Sequence, residues 1–403
     1  MNYESERVQR ITTSPSMAIS LQAKAMRAAG ENVIDLSLGE PDFETPAHIV
    51  DAADRAMRQG QTRYTAADGT PELKAAIAQK FKKENGLSFA TNEVSVANGA
   101  KQIIFNALLA TLEPGDEVVI PAPYWVSYSD MVTVLGGVPV VLECGAEQGF
   151  LITGQRLAAS ITPKTRWVIL NSPSNPSGAI YTKEQWIDLG ASLREFPRVL
   201  IMSDEIYEHI VYDRPFVSFG VACPELRDRS LLVNGVSKTY AMTGWRIGYA
   251  AGPQGLIAAM GKIQSQSTGN PCSISQAAAV EALTANQDFL AAMVAEYKAR
   301  RDLVVNGLAK ITGLDIISPE GAFYVFPRCD AFFGMQTPDD GIIQNDSELA
   351  AYLLRRAKVA TVPGAAFGLG SYIRLSFATS QSVLADAMDR VGAALKDLKA
   401  RAA

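Results

Sequence analysis

An α/β fold is what this sequence predicts, and three observations carry it. Short strand-like runs alternate with helical stretches along most of the chain, the rhythm of a sheet flanked by helices. The runs are almost continuously apolar, as strands buried on both faces of a parallel or mixed sheet are. Towards the C-terminus the rhythm changes, which suggests a smaller α+β unit.

In chain order, the strand-like runs are Glu117–Ile120, Arg166–Leu170, Val199–Met202, Leu231–Val233 and Arg246–Ala250. Between and after them, apolar periodicity predicts helices at Lys101–Leu112 and Lys183–Phe196, and one or two more across Ser275–Leu308. In the C-terminal stretch two strand-like pieces, Ala322–Phe326 and Tyr372–Phe377, flank a helical Glu348–Ala357, and Val383–Ala400 closes the chain as a helix. The opening residues have no place in the central pattern and are expected to pack with this C-terminal unit. The division is therefore 46–305 as a large domain, and 1–45 with 306–403 as a small one.

Composition narrows the function. The chain has 403 residues, 48% of them hydrophobic and 20% charged, which is ordinary globular composition. Lys+Arg 37 against Asp+Glu 42 gives a net charge of −5, without the basic footprint of a nucleic-acid binder. No apolar run is long enough to span a bilayer, and the charged opening MNYESERVQR shows no secretory signal. Cys144, Cys223, Cys272 and Cys329 are scattered and form no CxxC pair, which fits a reduced cytoplasm and supports neither a disulfide frame nor a zinc site. With only His48 and His209 present, a histidine-based metal site or a Ser-His-Asp hydrolase has little to draw on.

Polar groups follow three consecutive strands. Asn171-Ser-Pro-Ser-Asn175-Pro-Ser-Gly178, Ser203-Asp204-Glu205-Ile206-Tyr207 and Asn234-Gly-Val-Ser237-Lys238 stand at the carboxyl ends of their runs, where open α/β sheets bind ligands. Singly each is a turn, a cap or nothing; in this order they mark a site. Asn98-Gly99-Ala100-Lys101 leads into an apolar helix, and small residues there leave N–H groups for an anion. Arg246 lies eight residues beyond Lys238 and can clamp a phosphate with two hydrogen bonds. No GxGxxG follows a strand, so a dinucleotide fold has no fingerprint.

These motifs resemble those of the class I/II pyridoxal-phosphate aminotransferases of fold type I, and within them the bacterial aspartate and aromatic (prephenate) subgroup. The resemblance covers essentially the whole chain, adding Gly39-Glu-Pro-Asp-Phe43, Arg63-Tyr64, Pro121-Ala-Pro-Tyr-Trp125-Val-Ser-Tyr128, Gly321-Ala-Phe-Tyr324 and Tyr372-Ile-Arg374-Leu-Ser376. It implies a large domain around a mostly parallel seven-stranded sheet, a smaller α+β domain, and a cytoplasmic homodimer with a shared active site. It also implies pyridoxal 5'-phosphate as cofactor, with Lys238 holding it as a Schiff base and then moving the substrate proton. Asp204 pairs with the ring nitrogen, Tyr207 and Asn175 bond the phenolic oxygen, and Trp125 stacks on the ring. Gly99, Ala100, Lys101, Ser237 and Arg246 take the phosphate, and Tyr64 reaches the phosphate of the neighbouring subunit. Arg374 grips the α-carboxylate as a bidentate pair, and Gly39 brings the N-terminal segment against the substrate. Asp42 and Glu40 read as structural caps.

The reaction so implied is ping-pong transfer of an amino group between an L-amino acid and a 2-oxo acid. Lys101 of the Gly-x-Lys-Gln motif meets a side-chain carboxylate, which favours aspartate with 2-oxoglutarate. Prephenate-accepting members carry a lysine where this chain has Thr12, so prephenate is not expected. Ser37-Leu38 and Ala100 depart from the family pattern, and Leu38 opens the alternative of aromatic or aliphatic amino acids. Another fold-type-I lyase reaction on the same cofactor residues is the second alternative.

Overall fold

The computed structural model describes residues 3–11, 15–339 and 341–400. Its strands are β1 (Ile34–Asp35), β2 (Val94–Ala97), β3 (Glu117–Ala122), β4 (Val138–Glu143), β5 (Thr165–Asn171), β6 (Leu200–Asp204), β7 (Ser230–Gly235), β8 (Gly248–Ala251), β9 (Tyr324–Val325), β10 (Val359–Ala360), β11 (Val362–Pro363) and β12 (Ile373–Ser376). Seven of them form one sheet in the order β2-β8-β7-β6-β5-β3-β4. The pairs from β7 through β4 are parallel, and β8 runs antiparallel to both its neighbours.

Each parallel strand is apolar because both its faces are covered. Val119, Val168 and Leu170 join one buried cluster, with Phe81, Trp186 and Phe219. Their chain neighbours Val118, Trp167 and Ile169 join the cluster on the opposite face. Two sheet strands have no counterpart among the sequence expectations. The four residues of β2 include Ser95, and β4 is a half-exposed edge strand carrying Pro139, a residue tolerated where no neighbour needs its N–H.

The expected helices are present with small boundary shifts. Lys183–Arg194 opens with a capping box in which Thr182 Oγ1 accepts from the Gln185 N–H and the Gln185 side chain accepts from the Thr182 N–H. The stretch 275–308 holds two helices, Ser273–Thr284 and Phe289–Leu308. Two expected strands are shorter than their apolar runs. Arg246 adopts φ +59° and Ala322 φ +55°, left-handed values incompatible with a strand. Pairing accordingly begins only at Gly248 and Tyr324.

A third cluster gathers Ile34 and Leu36, Ile206 and Ile210, and apolar side chains from Met293 to Leu398. Here β11-β12-β9 form an antiparallel sheet, and β1 pairs in parallel with β10. No helix of the described residues is long and apolar enough to cross a membrane.

Candidate active site

Where the third cluster meets the carboxyl ends of β5, β6 and β7, a cavity of about 400 Å³ opens. Every sequence-nominated residue except Gly99 and Tyr64 lines it: Gly39, Ala100, Lys101, Trp125, Asn175, Asp204, Tyr207, Ser237, Lys238, Arg246 and Arg374. Parallel strands bring their polar ends to one rim, so residues separated by scores of positions in the chain converge there.

Asp204 ends β6 at the cavity floor, 4% exposed. Its Oδ2 accepts from the Tyr128 hydroxyl at 2.6 Å and its Oδ1 from the Ile206 N–H at 3.2 Å. Burial pushes its pKa up to about 6, against the pull of those hydrogen bonds and of Lys238. Asn171, ending β5, donates to the Asp204 carbonyl at 2.9 Å and accepts from the Asn175 N–H at 2.9 Å, fixing the following turn.

Lys238 leaves β7 and donates from Nζ to the Gly39 carbonyl at 2.6 Å. Its pKa is lowered to about 8, by burial first and by the nearby charges of Arg246 and Arg374, while those of Glu40 and Asp204 oppose. A lysine so placed is a neutral amine for part of the time near neutrality, and therefore a nucleophile and a base.

The helix Ala100–Leu109 starts behind Gly99, which has φ +87° and offers no capping side chain. Its first N–H groups face the cavity end of the helix axis, where an anion is favoured. A Cβ on Gly99 would strike the Arg246 guanidinium, and one on Gly248 would strike the Ala100 nitrogen. Both glycines thus let arginine, strand and helix start close on one another. Arg246 donates to the carbonyls of Thr243 and Asn98 at 2.8 and 3.2 Å, so its two charged nitrogens have only neutral partners. Ser237 is buried beside them.

Arg374, on β12, is 3% exposed. It donates from Nη1 to Asn175 Oδ1 at 2.9 Å and from Nη2 to the Ser37 carbonyl at 2.5 Å. Its Nε has no partner, and among the described residues no carboxylate lies within ion-pair distance. The rings of Tyr324 and Phe367 flank it at 4.5 and 4.9 Å. A buried cation so arranged is costly until an anion reaches it. In the same cavity lining the Lys101 ammonium lies 5.0 Å from the Trp125 ring centre, its pKa lowered by burial and by Arg246.

Asp42 and Glu40 are not caps. Asp42 pairs with Arg300 at 2.6 Å, and Glu40 accepts from the Thr243 hydroxyl. Tyr64 stands outside the cavity with 98% of its surface exposed. Thr12 lies outside the described residues. Of the departures from pattern, Ser37 is tied to Asp35 through its N–H and hydroxyl, at 3.0 and 2.5 Å, while Leu38 lines the cavity with 40% of its surface exposed. Tyr128, Asn171 and Tyr324 join the site without a role assigned from sequence. All three stand in quoted motifs, but nothing local says that a tyrosine hydroxyl will meet a carboxylate or another hydroxyl from a distant strand.

The family model described as aminotransferase class I and II matches residues 31–391. An aspartate aminotransferase of Rhizobium meliloti is 53% identical over 393 residues, covering 97% of this chain and 96% of that protein. An aspartate/prephenate aminotransferase of Cereibacter sphaeroides is 51% identical over 394 residues, covering 98% of each. Among solved structures, the aspartate aminotransferase from Rhizobium meliloti superposes with a TM-score of 0.96 at 52% identity, covering 99% of this chain and 100% of that one. That from Thermus thermophilus with maleate gives 0.91 at 42% identity, covering 98% of this chain and all 100% of its own.

Proposed function

This chain belongs to the class I and II aminotransferases, and from that footing we propose that it moves the amino group of aspartate to 2-oxoglutarate with pyridoxal 5'-phosphate as cofactor. The observation that carries the proposal is Arg374, a buried guanidinium with no carboxylate partner among the described residues, sharing one cavity with a buried acid, Asp204, and a half-buried lysine, Lys238.

The residues present suit that cofactor. The helix start behind Gly99, with Ser237 and Arg246, suits a phosphate; Trp125 offers a ring face; and Asp204 offers a buried carboxylate to a pyridine nitrogen. When bound, pyridoxal phosphate supplies an aldehyde carbon for amines and an electron-accepting ring. Asp204 would hold a proton on that ring's nitrogen, its anion kept in place by Tyr128 and the Ile206 N–H. Tyr207 and Asn175 would donate to the phenolic oxygen. Arg374 orients the substrate through its α-carboxylate, and Lys101, lining the same cavity, receives the side-chain carboxylate. Lys238, whose Nζ rests on the Gly39 carbonyl, would take the proton from the substrate Cα as a neutral amine and carry it as an ammonium.

Two broader features belong to the same proposal. The large domain is 46–305 and the small one 1–45 with 306–403, with Phe289–Leu308 passing from one to the other. The chain works as a cytoplasmic homodimer in which exposed Tyr64 reaches the partner's phosphate. Leu38 on the cavity wall favours a second reading, in which aromatic or aliphatic amino acids are also taken.

An absorption spectrum tests the proposal. The purified protein should show a visible band that aspartate converts to a near-ultraviolet one, with phenylalanine and valine slower. Conversion by phenylalanine or valine alone would sink the acidic preference. No visible band even with added pyridoxal phosphate would sink the cofactor assignment.

A further inference from the structure

Three groups of the site converge on Tyr324, a fully buried side chain at the start of β9. Its hydroxyl meets the Tyr207 hydroxyl at 2.8 Å, and either oxygen can be the donor. Its ring lies beside the Arg374 guanidinium at 4.5 Å. A Cβ on Gly39 would fall 2.5 Å from the Tyr324 oxygen, so glycine lets this hydroxyl lie against the backbone whose carbonyl holds Lys238 Nζ.

A tyrosine hydroxyl has one proton to give. If Tyr207 donates to an oxygen anion in the cavity, it can no longer donate to Tyr324, and the pair stays bonded only if Tyr324 donates to Tyr207. Hydrogen bonds in such a chain polarise one another, so a stronger donor at Tyr324 makes Tyr207 a stronger donor. Burial raises the Tyr324 pKa above its ordinary value, and the Arg374 charge works against that rise, in the sense of a stronger donor.

Building on the cofactor reading above, we propose that Tyr324 is a positioning residue that relays between the carboxylate site and the cofactor's phenolic oxygen. Its ring seats Arg374, and its hydroxyl, by donating to Tyr207, turns the Tyr207 proton into the cavity. A carboxylate arriving at Arg374 offsets the cation, weakens the donation, and is thereby felt at Tyr207. The other titratable groups facing the pair are Asp204 from β6, Lys238 after β7, Tyr297 from the long helix, and Tyr128 behind Asp204. Each of them is unchanged in the variants that follow.

The test uses the protein loaded with pyridoxal phosphate. Tyr324→Phe keeps the ring and removes one oxygen. The pH midpoint of the visible band should rise by about half a unit, with succinate affinity altered less than about twofold. Tyr324→Leu removes the ring too, and succinate should then bind roughly tenfold more weakly. In a Tyr207→Phe background, Tyr324→Phe should leave the midpoint unmoved, which a general loss of packing would not do. An unmoved midpoint in the single variant, or an equal shift in both backgrounds, overturns the relay and leaves the cofactor reading intact. If the unchanged protein forms no visible band with pyridoxal phosphate, the cofactor reading fails first and the relay falls with it.

Discussion

Lys238 shows how much of the chemistry rests on the surroundings of single side chains. Its amine is brought to about 8 by burial and by two guanidinium charges. Below that pH it is an ammonium and cannot attack; above it, it is a neutral nucleophile. The rate at which cofactor-free protein captures pyridoxal phosphate should therefore climb about tenfold per pH unit and level off above about 8, as stopped-flow absorbance would record. Lys101 is the second residue on which the proposal turns. Lys101→Ala should lower kcat/KM for aspartate by roughly ten- to a hundredfold and leave phenylalanine nearly untouched. A parallel loss for both substrates would make Lys101 a phosphate ligand instead. The candidate residues at this scale were legible in the sequence because they sit at strand ends in ordered motifs. Tyr128 and Tyr324 were not, because a hydroxyl's partner is set by folding. The phenol of Tyr128 finds Asp204 from 76 positions away, and that of Tyr324 finds Tyr207 from 117.

The parallel strands order the site, and a second acid follows Asp204 immediately beyond the end of β6. Glu205 is buried, and its carboxylate accepts from the Ser203 and Ser218 hydroxyls and the Phe219 N–H, through Oε1 alone. Its Oε2 is buried without a partner. Burial first, and then the charge of Glu208, push its pKa up to about 7. A raised carboxyl pKa means the stability it contributes is complete below the unfolded value of 4.5 and is lost as pH rises through about 7. Glu205→Gln, which cannot ionise, should flatten the pH dependence of unfolding free energy across that window by about 1–3 kcal/mol, measured by urea titration at stepped pH. Strand positions on both sides of the site were readable from continuous apolar runs. The exceptions have local causes: β4 at the sheet edge carries Pro139 and is half exposed, and β2 is four residues long with Ser95 within it. Neither offers the uninterrupted apolar run that marks a doubly buried strand. At Arg246 and Ala322 the backbone turns left-handed inside an apparent strand, which composition alone does not signal.

The whole molecule is a doubly covered sheet joined to a C-terminal cluster, with the cavity at their junction. Tyr64 belongs to this scale, since its almost fully exposed side chain is the one proposed to reach a second copy of the chain. In the proposed homodimer, Tyr64→Ala should release pyridoxal phosphate about tenfold faster while sedimentation still reports a dimer. Unchanged release would remove Tyr64 from the site. Order along the chain is enough to specify an α/β sheet, the strand ends that carry Asn175, Asp204 and Lys238, and the class of anion-handling chemistry. Apolar periodicity and short motifs are local properties, and they survive in one dimension. Folding alone decides that Arg374 is buried with no carboxylate of the described residues in ion-pair distance, that Lys238 rests on the Gly39 carbonyl, and that two tyrosine hydroxyls meet. Those are facts of burial and distance between segments remote in sequence, and desolvation, which sets their energies, exists only once the chain has closed around them.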